Sequence, residues 1–241
     1  MALSCSYLLV PKRKEKTMTL SKASMDDGFN SELVEGARFD GTLEIPCIEK
    51  PKEVIIPNGF TPFTKRLRAP TDNEALSFFE FDTKFAEVII APERFIETVK
   101  NFPIFVPPDC SLYRDQPLAT QIANVYRSRA IGSYYQKKRV NVYPLIRWGD
   151  ERTYTDEVLP EPVSFMGAPK GSVVVVSTYG CIRGLDNKHH FQAGIECMVD
   201  FLRPQLVLVH GAMPKAVFAH VLYKSEFLQF PDWITRMKAG D

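Results

Sequence analysis

Three apolar runs in the middle of the chain each end in polar or titratable residues. The runs lie at residues 104–106, 141–146 and 172–177, and a fourth, at 206–209, ends in a histidine. The carboxyl ends of parallel strands meet at one edge of a sheet, so we expect these groups to form one site. In chain order, the candidate residues for catalysis or ligand binding at these strand ends are Asp109, Tyr113, Arg114, Arg147, Trp148, Ser177, Thr178, Gly180, Cys181 and His210.

Asp109, Cys181 and His210 are the candidates for catalysis. Burial at a strand end raises the pKa of a carboxyl and a neighbouring arginine lowers it, so Asp109 is the best candidate for an acid or base. Its alternative role is to cap the turn before the next helix. Cys181 is a candidate nucleophile with His210 as its base, and its alternative role is inert packing.

Arg147 and Trp148 are candidates for ligand binding. The planar fork of an arginine suits a phosphate or carboxylate, and the alternative for Arg147 is a salt bridge to Asp109 or Asp150. Trp148 suits stacking on a base or sugar, and its alternative is packing beneath the loop. Tyr113 and Arg114, which lie in the polar segment after the run at residues 104–106, are also candidates for ligand binding.

The segment 177–181 resembles a phosphate-binding turn. Ser177, Thr178 and Gly180 supply hydroxyl groups and accessible N–H groups, which suit anions. The segment lacks the lysine and the spacing of a P-loop, and the chain has no G-x-G-x-x-G fingerprint, so neither nucleotide-binding class is favoured. On the preceding long helix, Arg127 is the basic residue expected to turn towards these loops.

Hydrophobic patterning predicts the elements that position these residues. Apolar runs predict strands at residues 53–57, 88–91, 104–106, 141–146, 172–177 and 206–209. A short helix is expected over residues 94–101, and a long one from Pro117 along an apolar stripe that includes Leu118, Ile122 and Val125. A third helix is expected to begin at a cap formed by Asp186 or Asn187. The last is expected to run from Pro214 through Leu228.

Strands that alternate with helices predict an α/β fold with a parallel sheet and outer helices. We expect an incomplete or distorted (β/α) barrel, and an open doubly wound sheet is the alternative. Residues 1–38 are poor in large apolar side chains and contain a short basic run at residues 12–16, so they are predicted to be a flexible tail. Residues 39–241 are predicted to form a single α/β domain.

Composition narrows the class of protein. Thirty Lys and Arg residues balance 29 Asp and Glu residues, so no net field attracts nucleic acid or an anionic membrane. The five cysteines are an odd number without C-x-x-C spacing, and His189-His190 is the only close histidine pair, so we expect a reduced cytoplasmic protein without a metal site. The sequence has no run of about 20 apolar residues, so no membrane-spanning helix is predicted.

Several motifs, taken together and in order, resemble an uncharacterised family of bacteria, phages and mobile elements, classed as a domain of unknown function. The motifs are VIIPNGF (54–60), PDCSLYRDQP (108–117), YRSRAIG (126–132), RWGDERTY (147–154) and VSTYGC (176–181). The resemblance implies a prokaryotic or phage context. It implies no reaction, no cofactor and no catalytic residues.

The residues favour an enzyme of the hydrolase or transferase type that binds a small phosphorylated or nucleotide-like anion. Two alternatives use the same features. One is a non-catalytic module that binds a ligand or partner. The other is a nucleic-acid-processing protein of a mobile element, in which Lys65, Arg66, Arg68 and the basic run at 12–16 contact phosphates. No motif identifies a cofactor or an oligomeric state.

Overall fold

The computed structural model of the protein describes residues 30–67 and 73–239. Within these residues the strands are β1 Phe39–Asp40, β2 Ile45–Pro46, β3 Gly59–Pro62, β4 Glu74–Ser77, β5 Ile104–Phe105, β6 Val173–Ser177, β7 Leu206–His210 and β8 Glu226–Phe230. The α-helices are α1 Ala86–Ile90, α2 Ile96–Lys100, α3 Leu118–Lys137, α4 Glu151–Tyr154, α5 Gly184–Leu202, α6 Lys215–Phe218 and α7 Trp233–Ala239.

Six of the strands form two parallel three-stranded sheets, in the orders β3-β4-β5 and β6-β7-β8. The segment 141–146 lies between these sheets, where Val142 bridges to Phe105 and Leu145 bridges to Val175, both in the parallel sense. Pro144 has no N–H to donate, which limits this predicted strand to isolated bridges. The segment nevertheless joins the two sheets into one parallel array.

The array is curled around a buried apolar cluster that takes alternate residues from each of its segments. This cluster comprises Phe60, Ala75, Ile104, Val106, Tyr143, Leu145, Val173, Val175, Leu206, Leu208 and Phe230. The rings of Phe60 on β3 and Phe230 on β8 are 5.3 Å apart, yet no ladder pairs these two strands in the part of the chain that is described. The predicted α/β fold with parallel strands and outer helices is confirmed, and in the described residues the array is not a closed barrel, which agrees with either an incomplete barrel or an open sheet.

Helices cover the outer side of the array. Residues of α1, α2 and α3 pack with β4 and β5 in one buried cluster, and residues of α5 and α6 pack with β6 and β7 in a second. Alternation along the strands separates the two sides, because Val174 and Val176 face the helices while Val173 and Val175 face the central cluster.

Helix α3 buries only part of the predicted apolar stripe, including Val125, and buries a polar face beside it. Leu118 and Ile122 of the predicted apolar stripe are only half-buried, whereas Gln121, Asn124 and Arg129 are buried. Each of these polar side chains is hydrogen-bonded, and Asn124 Nδ2, for example, donates to the Ser111 carbonyl at 2.7 Å. The apolar pattern missed this face because hydrogen bonds offset the cost of burying it.

Two predicted strands are wrong. Residues 53–57 form no strand, and β3 begins only at Gly59. The run at 88–91 instead contributes to the short helix α1, in which Val88 is buried and Ile90 is exposed. Short apolar runs do not distinguish a strand from a buried helical turn.

The predicted last helix and the predicted cap of α5 are also wrong. Helix α6 ends at Phe218, and Leu228 belongs to β8, so the helical spacing between them was coincidental. Helix α5 begins at Gly184 with Arg183 at its N-cap, and Asp186 and Asn187 lie inside its first turns.

The predicted tail falls mostly outside the described residues, as does the basic run at 12–16. At its end, Ser31–Val34 forms a 3-10 helix whose Leu33 and Val34 are buried in the cluster beneath α3. Residues from Ser31 onward belong to one compact unit. Among the described helices, none combines the length and the apolar character needed to cross a membrane.

Candidate functional site

A pocket of about 250 Å³ opens at the carboxyl ends of the parallel segments. Four parts of the chain form its walls: the loop after β5, the residues that follow the bridging segment 141–146, the end of β6 with the turn after it, and the first turns of α5. The lining residues are Leu112, Tyr113, Arg114, Ile146, Arg147, Trp148, Gly149, Ser177, Gly180, Cys181, Asn187, His190 and Phe191.

Arg147, which lines this pocket, forms an ion pair with Asp109, which does not line it but lies in a smaller adjoining cavity of about 10 Å³ that Arg147 also lines. Arg147 Nη1 donates to Asp109 Oδ2 at 3.0 Å, and Asp109 is 8% exposed. Asp109 and Asp150 were the two salt-bridge partners expected for Arg147, and in the structure Arg147 pairs with Asp109. Asp150 instead caps α4 and accepts from Arg152.

The ion pair has hydrogen-bonding capacity left over. Asp109 Oδ1 and Arg147 Nε are buried and have no hydrogen-bond partner among the described residues. Burial raises the pKa of the Asp109 carboxyl, and Arg147 lowers it only in part. Burial opposes the charge of Arg147, but the neighbouring Asp109 and Cys181 outweigh burial and raise the pKa of the guanidinium.

Behind the ion pair, Arg129 of α3 holds the surrounding backbone in place. Its guanidinium donates to the carbonyls of Leu145 at 2.7 Å, Met166 at 3.0 Å and Ser164 at 3.1 Å. Burial lowers the pKa of Arg129 to about 10, so it remains charged at neutral pH. Arg129 therefore ties the segment that ends at Arg147 to the helix behind it.

Cys181 and His210 are not paired with each other. The Cys181 thiol donates to the Tyr179 carbonyl at 3.5 Å and lies beside Arg147, while burial raises the pKa of the thiol. His210 Nδ1 is 3.0 Å from Ser177 Oγ instead. No hydrogen bond between Cys181 and His210 occurs in the described part of the chain, so the expected thiol–imidazole pair is not formed.

His210 is buried behind the pocket wall and does not line it. Its ring stacks on Phe79 with centroids 4.1 Å apart and meets the edge of Phe60 at 5.6 Å. Burial lowers the pKa of His210 to about 4. Thr178 is likewise buried away from the pocket, with its hydroxyl donating to the Ala212 carbonyl at 2.7 Å.

Arg114 links the loop after β5 to helix α5. Its Nη2 lies 2.7 Å from Asp186 Oδ2 and 3.0 Å from Asn187 Oδ1. The adjacent Tyr113 is largely exposed at the rim. The contact holds the loop against the start of α5 and so shapes the mouth of the pocket.

Trp148 forms an aromatic wall. Its ring is 4.9 Å from that of Phe191, and it lies against Gly194 so closely that any side chain there would collide with the indole. Packing, the alternative expected for Trp148, is therefore its main contact, although part of the ring still lines the pocket.

The remaining basic candidates lie apart from the pocket. Arg127 Nη1 donates to Asn124 Oδ1 at 3.0 Å, and Arg127 does not line the pocket. Arg66 stacks on Phe63 at 4.0 Å and donates to its carbonyl. Arg68 is outside the described residues. In the described ranges, no group of three or more His, Cys, Asp or Glu residues is arranged to hold a metal ion.

The family model of a domain of unknown function, DUF4417, matches residues 37–231. The chain belongs to this family. The gene 1 protein of Mycobacterium phage L5 is 33% identical over 145 residues, which is 60% of this chain and 60% of that protein. The gene 1 protein of Mycobacterium phage D29 is equally identical over 145 residues, 51% of its length. The DUF4417 chain thus spans little more than half of these relatives, and no solved structure matches it.

Part of this DUF4417 pocket was not predicted from the sequence. Asn187, His190 and Phe191 all line it from α5. His190 and Phe191 follow Asn187 by three and four residues, a spacing that puts all three on one face of a helix. That spacing, a few residues after the 177–181 turn, is the signal in the sequence that could have identified them. The predicted cap at Asp186 or Asn187 hid that signal, because it placed the start of α5 too late.

Proposed function

We propose that this DUF4417 protein binds a small phosphorylated or nucleotide-like ligand at the carboxyl ends of its parallel segments. One observation carries the proposal. A single pocket combines two arginines and the start of a long helix with an aromatic wall made by Trp148 and Phe191. Anions favour helix N-termini and guanidinium groups, and bases favour aromatic walls.

The electrostatics favour a ligand of low charge. Arg147 is already paired with Asp109, and Arg114 with Asp186, so each arginine is largely neutralised before a ligand arrives. Helix α5 adds N–H groups at its start, where no side chain caps it. A single phosphate on a ligand of nucleotide size suits this arrangement better than a polyphosphate does.

Asp109 is the proposed acid or base for hydrolase or transferase chemistry. Its carboxyl is buried behind Arg147, the residue through which it adjoins the pocket, its Oδ1 has no hydrogen-bond partner among the described residues, and burial raises its pKa. Asp109→Asn keeps the shape of the side chain but removes the proton acceptor. We expect this variant to bind ligand without turnover.

Thermal shift against a panel of nucleoside monophosphates and sugar phosphates tests the binding proposal. A ligand at 100 times its Kd stabilises a protein by about 2.7 kcal/mol, and 1 kcal/mol shifts the melting temperature of a chain this size by roughly 2–4 °C. We therefore expect a rise of about 5 °C or more for at least one compound.

Arg114→Gln is the informative variant, and Arg38→Gln is its matched control. Both arginines form ion pairs near the surface, at 2.7 Å with Asp186 and 2.8 Å with Glu49, but only Arg114 lines the pocket. Loss of a charge-assisted hydrogen bond weakens binding by about 1.5–3 kcal/mol, or roughly 10- to 100-fold in Kd. Equal Kd values for the two variants would contradict a ligand site at this pocket.

The other two functions give different outcomes. Binding that persists without turnover in the unmodified protein, for every compound that binds, favours a non-catalytic module. If no small phosphorylated compound binds, but single-stranded DNA or RNA binds with an affinity that falls steeply with salt, a nucleic-acid-processing role replaces the proposal.

A further inference from the structure

Ser177 sits where the pocket meets the buried histidine. It is the last residue of β6, lines the pocket, and is the register partner of His210, the last residue of β7. We propose that Ser177, and not Cys181, is the nucleophile of this site, with His210 as its base. The inference rests on the proposed function, because it requires a phosphorylated ligand in the pocket.

The hydrogen bonds around Ser177 suit this role. Its Oγ is 3.0 Å from His210 Nδ1, within the range for transfer of a proton from nucleophile to base. The Tyr179 N–H donates to the same oxygen at 3.3 Å and so holds the rotamer of Ser177. Arg147 lines the same pocket and places a positive charge near a phosphoryl group bound there.

His210 is held in the state that a base requires. Burial keeps its imidazole neutral at pH 7, so Nδ1 can accept a proton when the ring carries its own on Nε2. Stacking on Phe79 fixes the ring plane. Burial also weakens the basicity of the ring, and the charge of the nearby Asp232 offsets part of this effect by favouring the imidazolium.

Cys181 lacks the corresponding contacts. Its thiol is hydrogen-bonded to a main-chain carbonyl, and burial disfavours the thiolate that attack would need. Arg147 lowers the pKa of the thiol only in part. Of the two candidates, Ser177 is therefore the one that already has a base in place.

The proposed step is a phosphoryl transfer that balances without a cofactor. Ser177 Oγ attacks phosphorus, and its proton passes to His210 Nδ1. The bond between phosphorus and the leaving oxygen breaks on the side opposite to Ser177, and that oxygen takes its proton from a water molecule in the open pocket, which becomes hydroxide. The product is a phosphoserine at residue 177; the hydroxide then attacks phosphorus from the pocket side, and Ser177 Oγ leaves and regains its proton from His210.

A fluorophosphonate reagent tests this chemistry on the full chain, because attack by serine forms an oxygen–phosphorus bond and releases fluoride. Intact mass should show one adduct, and peptide mass spectrometry should place it on Ser177. Ser177→Ala should abolish the adduct, while Ser172→Ala, at the residue directly before the same strand, should leave it unchanged. His210→Gln should slow labelling at least tenfold.

Peptide mapping on the unmodified protein keeps the test independent of whether any variant folds. An adduct on Cys181 or a tyrosine, no adduct at all, or equal labelling rates in a folded His210→Gln variant would overturn the inference. If the unmodified protein is not labelled but nucleoside monophosphates still raise its melting temperature, the nucleophile is wrong and the proposed function stands. If neither occurs, both fail.

Discussion

The curled sheet carries a buried arginine–carboxylate pair at each end, and the two carboxylates differ in how fully they are hydrogen-bonded. At the amino ends, Glu74 of β4 pairs with Arg236 of α7, and its other oxygen accepts from Thr61. At the carboxyl ends, Asp109 pairs with Arg147, but Asp109 Oδ1 has no partner in the described part of the chain. Each arginine leaves one buried nitrogen without a hydrogen-bond partner there, Arg236 Nη1 and Arg147 Nε, so the difference lies in the carboxylates.

The pair at the amino ends is also more deeply buried than the pair at the carboxyl ends. The Arg236 and Glu74 side chains are 10% and 3% exposed, and Arg236 packs so closely on Gly59 that a side chain there would collide with it. The Arg147 side chain is 22% exposed and lines the pocket. We infer that the first pair holds α7 against the sheet, while the second leaves bonding capacity for a ligand.

Glu74→Gln should have the largest effect on stability. It leaves the charge of Arg236 buried without its carboxylate, which costs about 3–5 kcal/mol in comparable pairs. Urea denaturation measures this change in the free energy of unfolding. Glu49→Gln is the control, because the exposed Glu49–Arg38 pair should contribute less than about 1 kcal/mol. A Glu74→Gln cost as small as that of the control would remove the difference between the two ends.

Acid should destabilise the carboxyl end through His210. The unfolded chain binds a proton at His210 near pH 6.5, whereas the folded protein does so only near pH 4. The stability contributed by neutral His210 is therefore complete above pH 6.5 and is lost as the pH falls towards 4, which amounts to about 3 kcal/mol.

Melting temperatures from pH 7.5 to pH 4 check this expectation in the His210→Phe variant. Phenylalanine preserves the stacking but does not titrate, so the fall in stability with acid should become smaller by that amount. The exposed His220, replaced by Gln, should keep the original pH profile. An unchanged profile in His210→Phe would mean that its imidazole is not held neutral by burial.

Asp109→Asn should have the smallest effect on stability, although it makes the same carboxylate-to-amide change as Glu74→Gln. Burial already disfavours the charge of Asp109, and Arg147 faces a pocket that water can enter. We expect a cost of about 1 kcal/mol, near the typical value for a single substitution. Denaturation of both variants side by side measures the difference. A cost equal to that of Glu74→Gln would make the Asp109–Arg147 pair a structural one.

The amino-acid sequence by itself determined the α/β class, the strands at 104–106, 172–177 and 206–209, and the group of polar residues at their ends. Each of these follows from local signals, namely near-continuous apolar runs and the polar residues that end them. The structure brings Asp109 to Arg147 and Ser177 to His210, as expected for parallel strands that end at one edge.

Only the tertiary structure decided which of these residues bond to one another and which line the pocket. Arg147 pairs with Asp109 and not Asp150, His210 pairs with Ser177 and not Cys181, and α5 contributes residues that no motif indicated. Such pairings depend on strand register and on differences of a few ångströms between segments more than 30 residues apart. Hydrophobic periodicity does not encode those distances.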